Sequence, residues 1–144
     1  MADSYVVDAS VVAKWFNRGE EFEGESDRLR RAWVNDELEL IAPAHLPYEV
    51  ANSIWKNPNI GLRQAGKLAR VLIGVCPALT GLSEELADRA MSFARRKHTT
   101  FYDASYIALA KLLSVQLITA DDEQLALASG YARASHLSSR AWET

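Results

Sequence analysis

Tyr5-Val6-Val7-Asp8-Ala9-Ser10 is the stretch that decides the fold. Three successive apolar residues with no polar alternation describe a short strand covered on both faces, as in a parallel sheet. The strand runs from Ser4 and closes on Asp8, so a carboxylate stands at its carboxyl end, followed by small residues. Burying a lone carboxylate beside apolar sequence is costly unless something positive compensates it. Asp8 is therefore read as half of an ion pair or part of a metal site.

Outward from this strand, helices and strands alternate. Ser10 is expected to cap a helix over Val11 to Asn17 that stops before Gly19. A second helix is predicted from about Ser26 to Asp36, and a second strand over Leu38 to Ala42, stopped by Pro43. Pro47 suits a helical first turn, and Leu46, Val50 and Ile54 recur at helical spacing up to Asn57-Pro58-Asn59. Gly61 to Gly74 reads as a helix with Ala65, Leu68, Ala69 and Leu72 on its apolar face. Val75 to Leu79 reads as an edge strand interrupted by Pro77. Ser83 opens a helix reaching Arg95 or Arg96, and Tyr102 to Leu113 is apolar or small nearly all round, the pattern of a central buried helix. Val115 to Thr119, Asp122 to Ser129 and Tyr131 to Ser135 complete the series as strand, helix and strand. The alternation predicts one domain over residues 1–144, a three-layer α/β/α sandwich with a mainly parallel sheet of four to five strands.

Composition narrows the function. The chain has 144 residues, 49% of them hydrophobic and 24% charged, which is ordinary for a globular domain with a real core. The single Cys76 excludes a disulfide framework; its apolar surroundings place it in the core, and a reducing cytoplasm is the expected setting. No apolar run approaches the ~20 residues of a membrane span, and the start of the chain does not read as a signal peptide. The net charge of −3 does not exclude a nucleic-acid substrate. Setting four site acids aside leaves 15 of the 19 acidic residues against 16 basic ones.

Those four acids are Asp8, Glu49, Asp103 and Asp121. Asp8 and Asp121 each follow a predicted strand, and ligands of open α/β sheets bind beyond the carboxyl ends of strands. Glu49 and Asp103 lie in helical first turns, where the helix dipole favours negative charge. One mouth can collect all four. With no histidine or cysteine at ligand-like spacing, all-oxygen ligation points to Mg²⁺ or Mn²⁺ rather than Zn²⁺. Each acid also has a plainer reading as a helix cap, dipole partner or turn residue.

The blocks Val6-Val7-Asp8-Ala9-Ser10, Tyr48-Glu49-Val50-Ala51-Asn52, Phe101-Tyr102-Asp103-Ala104 and Thr119-Ala120-Asp121 resemble the PIN-domain family, and within it the VapC-type toxins of toxin–antitoxin systems. Each block alone is weak; four in order over essentially the whole chain are specific. The resemblance implies an α/β/α fold, a Mg²⁺- or Mn²⁺-dependent endoribonuclease, frequent homodimers and a small antitoxin that blocks the active site. It makes Asp8 and Asp103 the principal metal ligands, with Glu49 and Asp121 completing the site and Asp122 substituting or assisting. Ser10, Asn52 and Thr119 carry short polar groups near these acids and are read as orienting them, with Ser10 as a plain helix cap the competing role.

Three basic sets are candidates for holding RNA: Arg63, Lys67 and Arg70; Arg28, Arg30 and Arg31; and Arg95, Arg96 and Lys97, which lead directly towards Asp103. Each set also reads as a solvated face; the last is preferred because chain connection keeps it near the acids. Trp15, Trp33 and Trp55 are expected to pack in the core or an interface, and His45, His98 and His136 form no triad. The rival reading is a PIN-like module that binds RNA or a partner without cleaving; four intact acids argue against it. A phosphatase with an aspartyl nucleophile would carry a second Asp where Ser10 stands, and a receiver domain would need a Lys after Asp121, where there is none.

Overall fold

The computed structural model describes residues 2–144. Five parallel strands form one sheet in the order β3-β2-β1-β4-β5. In chain order the elements are β1 (Asp3–Val7), α1 (Ala9–Val12), α2 (Glu23–Val34), β2 (Leu38–Pro43), α3 (Leu46–Lys56) and α4 (Leu62–Gly74). They continue with β3 (Ala78–Thr80), α5 (Glu84–Lys97), α6 (Phe101–Leu113), β4 (Gln116–Thr119), α7 (Asp122–Ala128) and β5 (Ala134–His136).

β1 lies at the centre because its side chains are buried in succession: Tyr5, Val6 and Val7 are all inside, and neighbours along a strand face opposite sides of the sheet. β4 repeats this with Leu117, Ile118 and Thr119. Both faces are therefore covered, which gives the three α/β/α layers. Val6 is flanked by Ile41 on one side and Leu117 on the other. Each such buried aliphatic side chain contributes about 1.5–3 kcal/mol.

α6 is the central helix of one layer. It lies against β1, β2 and β4, with α5 packed along it. Ala104 to Ala110 are buried without a break, and the small residues among them let the helix approach the sheet closely. Thr100 caps it by accepting the Asp103 N–H at 3.1 Å, and Ser83 caps α5 through the Leu86 N–H.

Several local expectations give way to the tertiary structure. Ser10 is not the cap of α1. The helix starts at Ala9, directly after β1, so Asp8 is the cap and accepts the Ser10 N–H. The helix expected over Val11 to Asn17 is a short α1 followed by a 3-10 turn at Ala13–Trp15, where the Asn17 side chain donates to the Ala13 carbonyl and to Ser53. α2 begins at Glu23 rather than Ser26, entered through Phe22 in the left-handed region. β3 begins only at Ala78, because Pro77 has no N–H to give the ladder and the Val75 N–H closes the end of α4. β5 begins at Ala134, since the Tyr131 and Ala132 N–H groups bond back to Ala128 after α7.

Cys76 is half-buried rather than a core residue. α4 packs on α3, and among Val71 to Val75 only Leu72 is inside. Trp15 and Trp33 do pack, stacked with centroids 5.6 Å apart, but Trp55 is 75% exposed.

Candidate active site

The chain passes β1, β2 and β3 in order to one side, then returns through α5 and α6 to place β4 against the free side of β1. The direction of winding thus reverses between β1 and β4, and the crevice beyond their carboxyl ends is where an open α/β sheet binds ligands. Asp8 ends β1 there, and Thr119-Ala120-Asp121 end β4 beside it.

Asp8 is 5% exposed and makes no ion pair among the described residues. Its carboxylate is held by hydroxyls instead: Ser10 Oγ donates to Oδ1 at 2.5 Å and Thr119 Oγ1 donates to Oδ2 at 2.5 Å. Each hydroxyl also accepts a backbone N–H from the turn after β4, Ser10 from Ala120 at 2.9 Å and Thr119 from Asp121 at 3.0 Å. The N–H groups occupy the hydroxyl lone pairs, so both protons are aimed at Asp8. Burial nevertheless raises the Asp8 carboxyl to about 6; the hydrogen bonds oppose this rise, and the charge of Asp121 adds to it.

Glu49 lies in the first turn of α3, and its Oε1 accepts the Tyr106 hydroxyl proton at 2.7 Å. His45 Nε2 lies 3.1 Å from the same oxygen but off the line of a hydrogen bond, and is buried without a proper partner. His45 is gripped edge-on between Tyr102 and Tyr106, with ring centroids 5.2 Å from each. Burial, then the charge and hydrogen bond of Glu49, push the Tyr106 phenol above its ordinary range, so it stays protonated as a donor.

Asp103 stands in the first turn of α6. Its carboxyl is raised by burial first, then by the charge of Glu49, with Asp121 and Glu123 adding to it and the Thr100 hydrogen bond opposing. Asp121 caps α7, accepting the N–H groups of Glu123 at 2.9 Å and Gln124 at 3.4 Å through Oδ1. Gln124 ties α7 to α6 by donating to the Asp103 carbonyl at 2.9 Å. Asp122 points away: its side chain is 96% exposed and lies 3.7 Å from His136 Nε2 on β5. Asn52 is exposed one turn beyond Glu49 and makes no side-chain hydrogen bond among the described residues.

The electrostatic couplings join the four acids. Asp121 bears on Asp8 and Asp103, Glu49 bears on Asp103, and Asp8, Glu49 and Asp103 all bear on Tyr106. Among the described residues, no three carboxylate, imidazole or thiol groups already converge as a ready-made cation cage. Ser10 and Thr119 instead donate to Asp8, and Tyr106 donates to Glu49. The donor set still fits a hard cation: it is all oxygen, and its deepest member is a buried carboxylate without a cationic partner.

Sequence reasoning missed Tyr106 and His45. Their signals were spacing: Tyr106 is three residues after Asp103 and His45 four before Glu49, each pair on one helical face.

Arg95, Arg96 and Lys97 are exposed in the last turn of α5, unpaired among the described residues, and the chain turns at His98 and Thr99 directly into the cap of α6. Arg28 and Arg31 lie elsewhere. They line an open depression of about 460 Å³ with Glu37 and Leu38, at the amino end of β2, and Arg28 is paired with Glu143 at 2.7 Å.

Residues 5–130 match the PIN domain family. Ribonuclease VapC3 of Pyrobaculum aerophilum is 32% identical over 120 residues, covering 81% of this chain and 88% of the relative. Exonuclease VapC9 of the same organism is 32% identical over 99 residues, covering 68% and 74%. A toxin–antitoxin complex from Klebsiella pneumoniae contains a chain that superposes with a TM-score of 0.65 at 17% identity, covering 92% of this chain and 97% of that one, which is a likeness of fold. Among the described residues, no helix is long and apolar enough to cross a membrane.

Proposed function

The chain belongs to the PIN-domain family, and from that premise we propose that it is a VapC-type toxin: an endoribonuclease that hydrolyses RNA phosphodiester bonds and is inhibited by a small cognate antitoxin. The observation that carries this reading is Asp8. It is a buried carboxylate raised to about 6, aimed by two hydroxyls and lacking any cation among the side chains around it. Such an arrangement costs stability unless a cation completes it.

Asp8 and Asp103 are the principal ligands in this reading, with Glu49 and Asp121 completing the set for Mg²⁺ or Mn²⁺. A bound divalent cation supplies an acidified water and offsets charge building up on the phosphate. The chain's own residues do the rest. Ser10 and Thr119 keep the Asp8 lone pairs directed, Tyr106 holds Glu49, and Glu49 or Asp121 takes the proton of the attacking water. Asp122, exposed and facing His136, is the weaker candidate for the fourth acid. Arg95, Arg96 and Lys97 hold phosphates of the RNA, mostly through charge. A homodimer and a cytoplasmic location complete the reading.

Incubation of the purified protein with linear and circular single-stranded RNA, with and without chelator, tests it. Cleavage of both RNAs, stopped by chelator and absent in Asp8→Asn and Asp103→Asn, is the expected result. Loss of activity on the circle alone would make the enzyme an exonuclease, the activity named for one relative. Metal-dependent cleavage retained by both Asn variants would remove the site assignment.

A further inference from the structure

The wall of the site formed by α3 and α6 carries a feature that the metal chemistry does not use. Tyr48 and Tyr102 each immediately precede a site acid, Glu49 and Asp103, and their rings are left outside the core, 80% and 60% exposed. Together with His45, Glu49 and Asn52 they line an open pocket of about 460 Å³. Exposed aromatic rings flanking a cleft differ from core rings that happen to reach the surface. The Tyr102 ring is fixed edge-on against His45, which is itself fixed against Tyr106, so the exposed phenol is presented from a rigid base.

We propose that this pocket is a stacking subsite for one unpaired nucleobase of the RNA, next to the bond that is cut. The inference rests on the nuclease reading above and adds to it which part of the substrate this wall receives. Charge decides between base and phosphate. The pocket is lined by a carboxylate, two phenols, an imidazole and an amide, with no lysine or arginine, so it repels a phosphate and suits an uncharged ring. Among the described residues, cations without ion pairs lie outside this lining, at Lys56 in the last turn of α3, at Arg63, Lys67 and Arg70 on α4 and at Arg95, Arg96 and Lys97 on α5. Unpaired bases are held by stacking on aromatic faces and by hydrogen bonds to their exposed edges. Tyr48 and Tyr102 supply the faces. Asn52, exposed and without a side-chain partner among the described residues, presents an amide donor and acceptor to the base edge.

The probe is a short single-stranded RNA with 2-aminopurine placed at one position at a time, bound in chelator so that nothing is cut. Quenching confined to one position by the wild-type protein, lost in Tyr48→Leu and Tyr102→Leu and kept in both Tyr→Phe variants, is expected. Both tyrosines are exposed, so the substitutions spare the core, and the Phe variants control for folding. In cleavage assays with metal, the Leu variants raise KM about ten-fold. On RNA with an abasic nucleotide at the quenched position, wild type and Leu variants converge. Equal KM ratios on intact and abasic RNA, or quenching untouched by the Leu variants, overturn the proposal. So does a result in which the Leu variants lose only binding to an inhibitory protein, which would make the two rings a protein-docking surface. A protein that quenches at one position but never cuts RNA fails the nuclease reading and leaves the subsite standing.

Discussion

Tyr106 donates its hydroxyl proton to Glu49 Oε1 at 2.7 Å, joining α6 to α3 across 57 residues of sequence. The phenol is buried and its carboxylate partner is one-third exposed, so the bond fixes a site acid that would otherwise sample several rotamers. Tyr106→Phe keeps the ring packing and removes this donor. A stability loss of about 1 kcal/mol is expected, together with an approximately ten-fold rise in the Mn²⁺ concentration needed for half-maximal cleavage. Activity at saturating metal recovers most of the way. An unchanged metal titration would show that Tyr106 does not position Glu49.

Asp8 makes its own contribution to how stability varies with pH. Its carboxyl is raised from 3.8 to about 6 by burial. Below the lower value it is protonated in both the folded and the unfolded chain and costs nothing. As pH rises, the unfolded chain loses this proton first, and above about 6 the folded chain carries a buried charge worth about 3 kcal/mol of destabilisation. In chelator, Asp8→Asn is therefore more stable than wild type at pH 8 and equal to it near pH 4. Mg²⁺ stabilises wild type at pH 8 and leaves the variant nearly unchanged. Urea unfolding at both pH values, with and without Mg²⁺, checks this. A variant of lower stability than wild type at pH 8 in chelator would contradict it.

The two hydroxyls on Asp8 oppose the effect of burial. Removing either one, in Ser10→Ala or Thr119→Val, raises the Asp8 carboxyl further and moves the acidic limb of the pH–rate profile to higher pH. Each change also leaves a backbone N–H without its acceptor, that of Ala120 in Ser10→Ala and that of Asp121 in Thr119→Val, at about 1–3 kcal/mol in stability. Coincident profiles for the variants and wild type would remove both hydroxyls from the site.

Arg95 and Arg96 are exposed at the end of α5 and form no ion pair among the described residues. If each neutralises one RNA phosphate, the double Ala variant weakens RNA binding and lowers the slope of log K against log salt by about 1.4. Fluorescence anisotropy across a salt series measures it. A slope equal to that of wild type would assign these residues to the solvated surface.

Some of this was legible in the chain. The apolar run Tyr5-Val6-Val7 and the nearly all-round apolar or small pattern of Tyr102 to Leu113 announced a parallel sheet with a buried helix on it; in the structure the burial is continuous over Ala104 to Ala110. Strand ends were less legible. Pro77 and the turn after α7 delayed β3 and β5, and such ends depend on which N–H groups find partners. Trp55 is outside the core of this chain because its helix faces solvent on that side, which periodicity alone does not reveal.

The site divides along the same line. Residue type and position relative to strand ends and helix starts made Asp8, Glu49, Asp103 and Asp121 candidates, since a carboxylate beside apolar sequence is conspicuous without any coordinates, and the family resemblance ranked them. Ser10 and Thr119 were also read as orienting the acids, but Tyr106 was missed, and which carboxylate each partner meets was not legible. Thr119 reaches Asp8 over 111 residues and Tyr106 reaches Glu49 over 57. Such contacts exist only because β4 returns to pair with β1 and α6 crosses the sheet beside α3. Periodicity and capping act over a turn of helix or a few residues of strand. Strand order is decided by burying all the apolar faces at once, and that collective choice brings the hydroxyls and the phenol to the carboxylates.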